Sequence, residues 1–226
     1  MSGLAISVAG AQVLCRPSGA LWIESARALI VADLHFEKAS AYAARGQMLP
    51  PYDTRETLVR LEAEARATQP ALLVFLGDSF HDAAAEGRMP ADEAQRIGAL
   101  SADRRLVWIV GNHDAEGPRR LPGKTLTYLD LDGLRLVHEP RTGAAPGEIA
   151  GHLHPCAKVR GPGGTVRRRC FVTDGERLVL PAFGALAGGL NVRDEAFRPL
   201  FGRKPLAGVL GRGRVHAVAW ASLSDD

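Results

Sequence analysis

Residues 71–82 read ALLVFLGDSFHD: a run of large apolar side chains stops at Gly77 and gives way to Asp78, His81 and Asp82. Leu72 to Leu76 carries nothing polar, which suits a strand buried on both faces rather than one with a wet side. The polar tail is then the loop leaving that strand. The same grammar recurs in ALIVADLH at 28–35, RLVWIVGNHD at 105–114, LRLVHEP at 134–140 and EIAGHLHP at 148–155.

Helical patterns lie between several of these runs. DTRETLVRLEAEARATQP at 53–70 opens with Asp53 and Glu56 at capping-box spacing and stops at Pro70, and PADEAQRIGALSADRR at 90–105 carries a second helix. Alternation of strand and helix predicts an α/β fold with parallel strands. In such sheets ligands gather beyond the carboxyl ends of the strands, which is where the His and Asp residues fall. After His154 the pattern changes to Gly- and Arg-rich turns, RGPGGTVRRRC at 160–170, alternating with the strand-like CFVTDG, RLVLPAF and VHAVAWASL. This predicts a second, more antiparallel sheet packed on the first, in one domain spanning 1–226.

The chain has 226 residues, 46% of them hydrophobic, enough for a sizeable core. No apolar stretch of membrane-spanning length occurs, and the segment MSGLAISVAGAQVLCRP lacks the basic start and apolar run of a signal peptide, so a soluble, cytoplasmic protein without membrane contact is expected. Cys15, Cys156 and Cys170 form no C-x-x-C pair, which argues against a disulfide framework or a zinc ribbon.

Net charge is +3 but unevenly spread: Lys158 to Arg214 holds twelve Lys and Arg against four acidic residues. Such a segment suits a polyanion such as nucleic acid, or serves only solubility. Aromatic residues are sparse in it, so no base-stacking platform is expected.

Six of the seven histidines, all but His216, sit in the strand-end motifs. Singly, Asp33 could cap a helix, Asp78 could make an Asx turn and Asn112 could occupy a left-handed turn. Five such events in order are hard to explain that way. Within EIAGHLHP, an extended backbone would project His152 and His154 to the same side, so that both rings reach one point. Carboxylate and amide oxygens suit hard divalent ions, while imidazole suits manganese, iron and zinc. Seven such groups exceed one tetrahedral site and match two ions sharing a carboxylate and a water.

These blocks resemble the calcineurin-like metallophosphoesterases, whose signature runs D-x-H, G-D, G-N-H-[DE], H and G-H-x-H. Here they are Asp33-Leu34-His35, Gly77-Asp78, Gly111-Asn112-His113-Asp114, His138 and Gly151-His152-Leu153-His154. The resemblance implies a four-layer α-β-β-α sandwich with two divalent metal ions, most readily Mn2+ with Fe or Zn also accepted. Asp33, His35 and His154 would hold one ion, Asn112, His138 and His152 the other, and Asp78 would bridge them. A hydroxide shared by the metals would attack phosphorus, and His113 would face the substrate phosphate as a catalytic residue. Many members have G-D-x-x-D, whose second Asp orients that histidine; here the position is His81, the favoured orienting and second catalytic residue through a hydrogen bond to His113, with the following Asp82 as the alternative.

Finer wording, including RLVLPAFGALAGGLNV at 177–192, resembles the bacterial ligase-associated DNA damage response endonuclease branch, PdeM, over nearly the whole chain. That implies a manganese-dependent phosphodiesterase or DNA endonuclease accompanying an ATP-dependent DNA ligase, a helicase and an exonuclease in DNA repair. Arg167, Arg168 and Arg169 are the expected substrate contacts, to phosphate rather than to bases. A nucleotide phosphodiesterase or phosphomonoesterase on the same ligands is the alternative reading. A third is a non-catalytic scaffold of this fold, as in a retromer subunit, although such a role does not require the full ligand set found here.

Overall fold

The computed structural model describes residues 2–161 and 164–226. In the first half, β1 (Leu4–Val8), β2 (Ala11–Cys15), β3 (Leu21–Ile23), β4 (Ala28–Val31), β5 (Leu72–Leu76), β6 (Arg105–Ile109) and β7 (Lys124–Leu126) form one sheet in sequential order. Pairing is antiparallel from β1 to β4 and parallel from β4 to β7. The parallel crossovers carry α1 (Lys38–Ala43), α2 (Asp53–Thr68), α3 (Ala85–Arg88) and α4 (Ala91–Leu100).

The second half forms the other sheet from β8 (Tyr128–Leu131), β9 (Leu134–Val137), β10 (Glu148–Ala150), β11 (Cys156–Gly161), β12 (Gly164–Thr173), β13 (Leu178–Val179), β14 (Leu206–Leu210), β15 (Val215–Ala219) and β16 (Leu223–Ser224). Only β9/β10 and β10/β13 pair in parallel; the other pairs are antiparallel, as the turn-rich sequence predicts. The Gly-rich turn expected between β11 and β12 includes residues 162 and 163, which lie outside the described residues.

Both-face burial of the parallel strands follows directly from their apolar runs. Along β5, Leu72, Val74 and Leu76 face the second sheet, where they join Leu136, Ile149, Phe171 and Leu178 in one core. The alternate residues Leu73 and Phe75 face the helices and pack with Leu58 and Leu61 of α2 and Ile97 of α4. Phe75 stacks on Trp108 with centroids 3.8 Å apart, and truncating either ring would cost about 3–5 kcal/mol. The result is an α/β sandwich of two facing sheets. Its fourth layer is thin: a 3-10 helix, Glu195–Leu200, supplies Phe197 and Leu200 against Val179 on the outer side of the second sheet.

Asp53 departs from the expected capping box. Tyr52 occupies the cap position of α2, while the Asp53 carboxylate accepts from the Ala39 amide, 3.1 Å away at the start of α1. The acidic residue relieves an orphan amide of the neighbouring helix instead of its own.

Candidate metal centre

Asp33, His35, Asp78, His152 and His154 all adopt left-handed backbone, with φ between 45° and 68°. Residues with a Cβ avoid this region, at a cost of about 1 kcal/mol or more each, so these turns are held from outside. The Asp33 and His35 amides donate to the carbonyls of Gly77 and Asp78 at 3.2 and 2.9 Å, zipping the first two motif turns together. Asp114, buried behind them, accepts from the amides of Ser79 (2.7 Å), Phe80 (3.2 Å) and Gly111 (2.8 Å), tying the second turn to the third. Burial pushes its carboxyl pKa up against those three donors. The His152 amide donates to the Asp33 carboxylate at 3.0 Å, joining the second sheet to the first.

The expected ligands then form two groups, while His35 also lies close to His81 and His113 in a third. In one, His35 Nε2 lies 3.2 Å from His154 Nε2, which lies 3.5 Å from Asp33 Oδ1. In the other, His138 Nε2 lies 3.2 Å from His152 Nδ1, 3.4 Å from Asp78 Oδ1 and 3.0 Å from Asn112 Oδ1. Asp78 stands between them, its Oδ2 4.0 Å from His35 Nε2. The expectation that His152 and His154 converge on one point does not hold. Their left-handed backbone replaces the extended one, and each ring joins a different group. Close approach accounts for Gly111: a Cβ there would lie 2.2 Å from Asp78 Oδ1.

The donor set fits metal ions. Ligands about 2.1 Å from one ion sit roughly 3.0–3.4 Å from each other, close to the spacings within each group. Asp33 and Asp78 are buried, yet among the described residues neither has an Arg or Lys within ion-pair distance. Buried carboxylates without a compensating cation are costly, and divalent ions would supply that charge. His35 Nδ1 is buried without a hydrogen-bond partner. His138 donates from Nδ1 to the Leu76 carbonyl at 3.3 Å, which turns its Nε2 lone pair toward the group. Asp33, His35 and His154 could hold one ion, and Asn112, His138 and His152 another, with Asp78 shared.

Protonation equilibria favour the ligand forms of most of these groups. Burial, then the nearby His154, pushes His35 down to about 3. Burial and His138 also lower His152. Burial alone would raise Asp78, but the hydrogen bond and charge of His138, with the His113 amide, hold it at about 2. His138 moves the other way: burial opposes its charged form, yet Asp78 and Asp33 outweigh that and raise it.

His113 stands at the open side of the groups, its Nε2 4.0 Å from Asp78 Oδ2 and its side chain 39% exposed. Its Nδ1 donates to the main-chain carbonyl of His81 at 2.8 Å. The orienting partner is thus the His81 backbone, while the His81 ring stacks alongside with centroids 5.4 Å apart. Asp82 is turned away, paired with Arg88 at 2.9 Å and accepting from the Ala84 amide.

The three consecutive arginines part ways. Arg167 and Arg168 are both exposed, Arg167 with Nη2 2.8 Å from the Gly189 carbonyl and 3.5 Å from the Asp226 carboxylate. Arg169 is half-buried and donates to the carbonyls of Ala182, Ala185 and Ala187 at 2.9–3.3 Å. Arg60 adds a fourth bond, to Phe183 O at 2.6 Å. The strap they hold is a wall of the site: the Gly184 amide reaches Asp33 O, and a Cβ at Gly184 would lie 2.1 Å from Leu34 O. Asp114 and Arg60 were not singled out as site-builders from sequence, and for 184–189 the sequence left open a tight loop near the cleft or a bend between strands. Only the acidic fourth place of G-N-H-D and the glycines of 184–189 hinted at them.

The fold is similar to that of the Pseudomonas putida nuclease MPE, with a TM-score of 0.73 and 25% identity across 96% of this chain and 100% of that one. It is more distantly similar to Yfce, a phosphoesterase from E. coli, with a TM-score of 0.43 and 16% identity across 85% of this chain and 98% of that one. No curated protein matches. A model of the calcineurin-like phosphoesterases matches residues 26–170, the span that holds both side-chain groups and His113. On that match the chain belongs to the calcineurin-like phosphoesterase family and is a metal-dependent phosphoesterase.

Proposed function

We propose that this chain hydrolyses phosphodiester bonds of DNA at a centre of two divalent ions. The observation that carries the reading is the meeting of two donor groups at Asp78 with the His113 ring beside them. Similarity to a nuclease along nearly the whole chain supports the substrate class. When bound, such a pair of ions activates a water at neutral pH and offsets charge on the phosphate oxygens.

The chain's own groups do the rest. Asp33, His35 and His154 bind at one position and Asn112, His138 and His152 at the other, with Asp78 common to both. His113, its Nδ1 proton committed to His81 O, presents Nε2 to the substrate side. In its protonated form it donates there to the departing oxygen. His81 shapes the same wall through its ring, stacked on His113. Arg167 and Arg168, on β12, contact flanking phosphates, and Arg169 holds the wall behind them.

The mixed carboxylate, amide and imidazole set suits manganese, with iron or zinc as substitutes. Resemblance to the ligase-associated branch extends the proposal to bacterial DNA repair beside an ATP-dependent DNA ligase, a helicase and an exonuclease. The deciding experiment supplies manganese and compares a bis-aryl phosphodiester, an aryl monoester, and supercoiled and nicked plasmid. Turnover of the diester and of DNA is the expected result; turnover of the monoester alone would overturn the reading.

A further inference from the structure

Beyond the metal centre lies a groove of about 580 Å³ lined by Arg193, Arg198, Phe201, Arg203, Lys204 and Trp220. From sequence no aromatic platform was expected in this basic region. In the structure Phe197 is buried, while the half-buried Phe201, just after the 3-10 helix, and Trp220, after β15, line the groove.

The acids of the groove are already engaged. Asp194 accepts from the Ala196 amide at 2.9 Å, and Asp225 pairs with Arg193 at 3.2 Å. Among the described residues, Arg198 and Lys204 have neither an ion pair nor a side-chain hydrogen bond, and both are exposed. The Arg193 guanidinium lies 5.5 Å from the Trp220 ring centroid, held by Asp225, and keeps 31% of its side chain exposed. A planar cation backed by an indole offers an outer face on which an unpaired base can stack.

The groove is built onto the metal centre. Leu153, the residue between His152 and His154, packs against the cluster of Val179, Phe197 and Leu200, so the turn that carries two candidate ligands rests on the 3-10 helix that borders the groove. Val192, in the groove wall, donates to the carbonyl of Cys156, two residues after His154.

We propose that this groove binds an unpaired stretch of DNA flanking the bond to be cut, with a base on the Arg193–Trp220 stack and phosphates at Arg198 and Lys204. The proposal rests on the nuclease reading for the identity of the strand. Unpaired cations beside an exposed guanidinium face backed by an indole fit a single strand better than a duplex, whose bases are not free to stack on protein.

The test uses the full chain with manganese and three variants: Arg198→Ala, Lys204→Ala and the double substitution. Affinity for a fluorescent oligothymidylate is followed against salt, with a bis-aryl phosphodiester reporting on the metal centre by itself. Expected is about tenfold weaker oligonucleotide binding in the double variant, with a log–log salt slope shallower by about 1.4 for two lost single-strand phosphate contacts. Trp220→Phe retains the packing but should abolish the tryptophan quenching that accompanies binding. Wild-type affinity and slope in the double variant would overturn the proposal, as would equal losses for duplex and single strand. If the wild type cleaves no DNA yet these substitutions still weaken oligothymidylate binding, the nuclease reading falls and the groove stands.

Discussion

The Nδ1 of His113 lies 2.8 Å from the main-chain oxygen of His81, so an amide carbonyl, rather than a carboxylate, orients the exposed histidine. A carbonyl can only accept. It therefore fixes the proton on Nδ1 and leaves Nε2 open for the proton transfer proposed for it.

Replacing His113 by Ala should lower kcat by about 10²–10⁴, the usual worth of a general acid. Metal content, read by elemental analysis, should stay near wild type, because neither group of donors loses a member. His81→Ala keeps the orienting carbonyl and should cost less than about tenfold in kcat. A larger loss in His81→Ala than in His113→Ala would contradict this division of roles.

Asp114→Ala should destabilise the fold by about 2 kcal/mol or more, since two buried amides, Ser79 and Phe80, and the half-buried Gly111 amide lose their acceptor at roughly 1–3 kcal/mol for each buried one. Urea unfolding measures it. The second and third motif turns would lose their tie, so metal affinity should fall alongside stability; an unaltered midpoint would show that the amides find other partners.

Arg168 and Arg169 are adjacent but should behave as opposites. Arg169→Ala frees three strap carbonyls and should cost about 2–3 kcal/mol of stability. Arg168→Ala should leave stability within about 0.5 kcal/mol while flattening the salt dependence of DNA binding by about 0.7–0.9. Thermal melts and binding titrations across salt separate the two effects.

Metal-stripped protein should be most stable near pH 6.5. Below that value an unfolded chain protonates His35, whereas the folded chain resists until about pH 3, so acid favours unfolding across the interval. Asp78 adds to the loss between its ordinary 3.8 and about 2. His138 acts on the alkaline side: its raised pKa stabilises the fold below 6.5, and that contribution vanishes as the pH climbs through the raised value. Adding manganese should raise the melting temperature by mass action and flatten the alkaline limb. A metal-free melting temperature that rises steadily from pH 7 to pH 5 would refute the assignment.

The α/β sandwich was legible because Leu72 to Leu76 and its counterparts leave no polar face, and because the ligand residue types recur after β4, β5, β6, β9 and β10. Less legible were features made by the backbone. Extended geometry for 152–154 was a fair reading of H-x-H, but left-handed turns are set by hydrogen bonds from another part of the chain, which periodicity does not reveal. The same holds for His113, whose partner is a main-chain atom that any residue at position 81 would supply. Arg169 looked like its two neighbours because strand alternation alone does not show that three carbonyls of a distant strap stand within its reach.

His35 and His154 meet at 3.2 Å although 119 positions separate them, one on each sheet. A site assembled across that seam is absent from either half taken separately, so on the proposed ligand set ion capture would act as a rivet joining two plates. Loading would then follow docking of the sheets, and chelation should loosen the molecule along this joint before it disturbs the parallel strands themselves.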